Sequence, residues 1–185
     1  MNQLTHLKKT RVLQRLIALA FAAIATFIAV PARATPQSGV TSVTIANGTF
    51  ADVDVYAKTD INPSPDITDF WKARIDTKGA SHLYVLQNTV TPGGTFGWHS
   101  HTGPSLVIVV SGTATEYEGN DPTCTPHLHP AGSTFVDGGE ASGHLVRNDS
   151  TTDNLVVVVV RLIPEVLVPT QRVDKPNPGY CPNIN

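Results

Sequence analysis

The sequence predicts an all-β domain built as a sandwich or a barrel, and three observations carry that reading. Short runs rich in Val, Ile, Thr and Tyr recur from Val40 onward. Fourteen prolines and 14 glycines fall between and around them as turn punctuation. Beyond the N-terminal segment, no long stretch places apolar residues at helical spacing.

Taken in order, the first element is a leader. Lys8, Lys9, Arg11 and Arg15 form a basic start, and Leu16 to Val30 is apolar except for Thr26. Ala32-Arg33-Ala34 then offers small residues where a signal peptidase inspects the chain. The apolar run is short for a membrane span, which needs about 20 residues. The reading is a signal peptide over 1–34, cut after Ala34, and a secreted or periplasmic chain with no remaining membrane segment. Residues 35–185 are then a single domain. Strands follow at Val40–Ala46, Asp52–Lys58 and His82–Thr91, then Ser105–Val110, Thr113–Tyr117, Ser133–Asp137, His144–Arg147 and Leu155–Ile163. Asp52 to Tyr56 alternates polar and apolar residues, as a half-buried strand does. Val156 to Val160 is apolar throughout and reads as covered on both faces. Ser111-Gly112 reads as a tight hairpin. Asn62 to Asp66 is a loop by composition, and Ile67 to Trp71 reads as one helical turn. Pro164 to Asn185 is proline-rich and reads as an extended strap over the barrel.

The leader holds five of the 13 Lys and Arg and none of the 15 Asp and Glu. The remainder therefore carries eight basic against 15 acidic side chains, a formal charge of −7 before its histidines. That excludes nucleic acid as a partner, because such binding depends on cationic side chains neutralising phosphates. Cys124 and Cys181 are the two cysteines, and in an exported chain they suggest one disulfide. Such a bridge would contribute about 4 kcal/mol in the chain-entropy model. Two free thiols, or a metal-binding thiol, are the alternatives.

Chemistry concentrates in Gly93-Gly94-Thr95-Phe96-Gly97-Trp98-His99-Ser100-His101 and the residues that follow. Side chains alternate across a strand, so His99 and His101 point to one face and can share a metal ion. The frame Gly93-x5-His99-x-His101-x3-Ser105-x6-Gly112 resembles the first motif of the cupin superfamily. Gly132 through His144-Leu145-Val146-Arg147-Asn148 resembles its second. The core motifs span 93–148. The closer likeness is to small secreted bacterial cupin-domain proteins, through Gly97 to His101, Asp121 to Cys124 and Asn177 to Pro182.

The resemblance implies a double-stranded β-helix, a jelly-roll-like barrel with short N-terminal strands and the C-terminal strap. It implies His99, His101 and His144 as ligands of one divalent transition metal, iron preferred, with zinc, manganese, nickel or copper as alternatives. The family's fourth ligand is a glutamate, and Ser105 stands at that position. Three neutral imidazoles leave a divalent charge uncompensated and leave coordination positions open, which suits a small chelating, anionic ligand. By analogy with three-histidine cupins the expected reaction is a dioxygenase-type oxidation. The alternative is a cupin that binds a small molecule or metal without catalysis. The resemblance also allows a homodimer.

Other residues complete the expectations. Glu116 and Glu118 share a face, either solvated or with one of them turned to the cavity as acid or base. Glu140 is a possible replacement carboxylate. Phe96 is expected on the pocket wall, Trp98 in packing, and Arg147 on the surface. His127 and His129 are expected on an exposed loop.

Overall fold

The computed structural model describes residues 34–59, 71–139 and 141–184. The leader, the loop from 60 to 70 and Glu140 lie outside the described residues, so the expectations placed there stand as sequence readings.

Among the described residues twelve strands form, named β1 to β12 in chain order: Ser38–Phe50, Asp54–Thr59, Trp71–Asp76, Ser81–Thr95, His99–His101, Ser105–Ser111, Thr113–Glu118, His127–Pro130, Thr134–Asp137, His144–Arg147, Leu155–Pro164 and Arg172–Asp174. A 3-10 turn, Glu165–Thr170, precedes the last. β2 and β3 pair as a separate two-stranded ribbon. The other ten make one antiparallel sheet that folds over itself into two faces. One face runs β1-β4-β11-β6-β9 and the other β12-β5-β10-β7-β8. A single pairing, Arg147 with Thr95, joins β10 to β4.

The two faces meet over an apolar core of Val90, Val107, Val109, Ala114, Val146, Leu155, Val157 and Val159. Burial alternates along β11: Leu155, Val157, Val159, Arg161 and Ile163 are buried, while Val156, Val158 and Val160 are half-buried. The continuous apolar run is thus a strand with one inner face, and the outer valines are only partly covered. The inner parity carries Arg161 into the barrel.

Four expectations need correction. Trp71 opens β3 rather than closing a helical turn. Ser111-Gly112 is a corner, not a hairpin: β6 pairs with β9 and β11, whereas β7 pairs with β8 and β10. Gly112 takes φ +76° there, and a Cβ on it would lie 2.8 Å from the Asn154 carbonyl oxygen, so a side chain does not fit the corner. His127 to Pro130 form a strand, β8, because their backbone completes the edge of β7. The C-terminal segment is not extended throughout; it turns at Glu165–Thr170 and then adds β12 beside β5.

Cys124 and Cys181 are joined in a disulfide. It closes a second buried cluster of Trp98, Tyr117, Leu145 and Cys181. Trp98 is fully buried, and its indole N–H donates to the Ile184 carbonyl at 3.0 Å. The tail is thereby fastened behind β5, the strand that carries two of the histidines.

Candidate metal centre

β5 is three residues long and lies between β10 and β12. His144 of β10 is the register partner of His99, and direct partners in an antiparallel pair face the same side. His101, two residues on, returns to that side. All three histidines are buried, and one ligating nitrogen from each can be chosen so that the three lie within 4.8 Å of one another. Gly143 shapes the approach: at φ +71°, a Cβ on it would sit 2.7 Å from the His99 carbonyl oxygen.

Each ring is held through Nδ1. His99 Nδ1 meets the Gly97 carbonyl at 2.8 Å, His101 Nδ1 the Gln171 carbonyl at 2.9 Å and His144 Nδ1 the Glu116 carboxylate at 2.8 Å. An acceptor at Nδ1 places the ring proton there and leaves the Nε2 lone pair for a ligand. The fit to a divalent ion is borne by the donor set and by two orphaned atoms. His144 Nε2 and Asp137 Oδ2 are buried without a hydrogen-bond partner.

The electrostatics follow from burial and neighbours. Burial, followed by His144 and Arg172, pushes His99 well below the ordinary histidine value. Burial and the adjacent Arg161 lower His101 to about 4. Burial would also lower His144, but Asp137 and Glu116 outweigh it and raise the ring to about 9. Burial would raise Asp137, yet the facing His144 holds its carboxyl well below the usual carboxylate range.

A cavity of about 340 Å³ opens over the rings. Phe96 lines it, with its ring 6.1 Å from that of His99. Ser105 also lines it, but its hydroxyl accepts from Arg161 Nε at 2.9 Å. Arg161 Nη2 donates to His101 Nε2 at 2.9 Å, and Arg172 contributes a second guanidinium from the strap.

Glu116 is buried and not solvated. One oxygen meets His144 Nδ1 and the other His129 Nε2, both at 2.8 Å. His129 is half-buried and stacked on Phe135, which corrects its assignment to an exposed loop; His127 is exposed. Glu118 is half-buried beside Gly119 at the end of β7. Sequence reasoning missed Asp137, Arg161, Arg172 and Gln171. Arg161 was legible as an inward position once β11 is read with period two. Asp137 was not, because its role depends on which strand lies next to it.

Two histidines on β5 and a third on β10, at the two motif positions, converge inside a barrel of two antiparallel faces. The fold is that of a cupin. No family model matches the chain, and no curated protein matches it. Solved structures similar to it include a cupin-like protein from Thermotoga maritima, 20% identical over 51% of this chain and 65% of that one, with a TM-score of 0.42. A cupin superfamily protein from Desulfitobacterium hafniense is 10% identical over 70% and 82% of the two chains, with a TM-score of 0.41. The polyketide cyclase RemF from Streptomyces resistomycificus is 16% identical over 43% and 54%, with a TM-score of 0.38. The chain spans less than two thirds of the first and third of these structures. As in the sequence motifs, the barrel interior is where the chemistry-bearing side chains meet.

Proposed function

We propose that this cupin is an exported metalloprotein that binds one divalent transition metal through Nε2 of His99, His101 and His144, and oxidises a small anionic substrate that chelates the ion. The observation that carries the reading is the engagement of all three Nδ1 atoms by acceptors, which turns three Nε2 atoms toward one cavity. A redox-active ion held there would supply Lewis acidity and electrons for an oxygen-dependent reaction. The chain's own residues do the rest. Glu116 fixes the His144 ring. Arg161 and Arg172 give the cavity cationic donors for an anionic substrate. Phe96, Val107, Val157 and Val159 give it an apolar wall that limits water.

Export is supported by the disulfide, which suits an oxidising compartment. Among the described residues, no helix is long and apolar enough to cross a membrane. One observation favours the non-catalytic reading: Arg161 already donates to His101 Nε2, so a cation must displace it.

Oxygen uptake by iron-loaded protein, measured across thiols, diketones and flavonoids, separates the two readings. Turnover with one class supports the dioxygenase reading. Binding of ligands with no oxygen consumed, whichever metal is loaded, supports the binding protein.

A further inference from the structure

Resting on the reading of His99, His101 and His144 as a metal centre, we propose that Asp137 is its fourth protein ligand, supplying from β9 the carboxylate that Ser105 does not supply from β6.

Three independent features point the same way. Ser105 and Asp137 are direct register partners in the antiparallel β6–β9 pair. Such partners face one side with Cβ atoms about 5 Å apart, so a carboxylate lost at one position is recovered at the other with little change of place. Next, Asp137 Oδ2 lies 3.4 Å from His101 Nε2 and 3.3 Å from His144 Nε2, the atoms that the Nδ1 contacts leave for a ligand. Finally, its two oxygens are differently employed. Oδ1 accepts from the Gly139 N–H at 2.8 Å, which anchors the side chain, while Oδ2 is buried, accepts no hydrogen bond and faces only the two Nε2 atoms. A buried carboxylate oxygen that accepts no well-formed hydrogen bond is costly, and a cation seated among the Nε2 atoms removes that cost.

Ser105 is a poor competitor for the role. Its hydroxyl is engaged by Arg161, and a neutral hydroxyl adds no charge. With Asp137 the donor set is three neutral imidazoles and one carboxylate, which halves the charge of a divalent ion and still leaves open positions.

Cobalt(II) is the probe. Its affinity is measured by competition with a chromophoric chelator, and its ligand field by visible absorption, for wild type, Asp137→Asn, His144→Ala and Asp137→Asn combined with Ser105→Glu. Loss of a direct ligand should weaken cobalt binding by about 100-fold or more, at or beyond the upper end of the 10–100-fold that an outer partner costs. It should also shift the absorption bands, and the Ser105→Glu double variant should recover both. If Asp137→Asn keeps wild-type affinity and spectrum while His144→Ala loses the metal, the fourth-ligand assignment is wrong and the histidine centre stands. If His144→Ala also binds as wild type does, the centre itself is wrong and both readings fall. Should Asp137→Asn not fold, wild-type protein carrying carboxyl-13C aspartate and loaded with copper(II) decides the matter. A strong 13C coupling by electron-nuclear double resonance supports the assignment, and its absence overturns it.

Discussion

Glu116 links two histidines that the chain supplies from different strands, His129 of β8 and His144 of β10. A carboxylate behind a ligating imidazole fixes its tautomer and raises its basicity. Glu116→Gln should therefore weaken metal binding by roughly 10–100-fold with little change in fold, read by chelator competition. Unchanged affinity would remove Glu116 from the account. His144, held at about 9, carries a proton at neutral pH that a metal at Nε2 must replace. Calorimetric titration near pH 7 in buffers of different ionisation heat should thus report about one proton released per ion. The same shifts set the stability of chelator-treated protein. His144 is raised, so its contribution is full below the unfolded value of about 6.5 and is lost as pH rises through 9. His101 is lowered, so its contribution is full above about 6.5 and is lost as pH falls toward 4. From these two groups, denaturant midpoints should peak near pH 6.5 and fall on both sides. A flat profile between pH 5 and 9 would show that neither ring sits in the environment described.

At the scale of elements, the C-terminal strap is the part with most consequence for the site. Its β12 pairs with β5, Gln171 accepts from His101 Nδ1, and Arg172 enters the cavity wall. The disulfide closes a chain separation of 57 residues behind it. Replacing both cysteines by serine should cost about 4 kcal/mol of stability and weaken metal binding together. Stability lost with metal affinity intact would show that the strap does not position His101. The strands built on β-branched runs were legible in the sequence, and β1, β2, β4, β6, β7, β9, β10 and β11 fall on them. β8 was hidden because Pro126 precedes it, Pro130 ends it and it holds no β-branched residue. It becomes a strand because β7 presents an edge. The three histidines were legible from spacing within a family pattern. Asp137 and Gln171 were not, since each depends on a pairing between segments far apart in sequence: Ser105 with Asp137, and β5 with β12.

For the molecule as a whole, an ion held by the three histidines would belong to the fold's stability as well as to its chemistry. The site draws ligands from both motifs, so an ion bound there ties β5 to β10 and binds folded chain in preference to unfolded. Metal at 100 times its dissociation constant should stabilise by about 2.7 kcal/mol, seen as a melting temperature that falls on chelation and recovers on reloading. The central claim is that three imidazoles from distant parts of the chain act on one ion. Elemental analysis of protein purified from its native host tests it most directly, comparing wild type with His101→Ala. The account predicts close to one equivalent of a transition metal in the wild type and its loss in the variant. Equal metal content in the two proteins would contradict it.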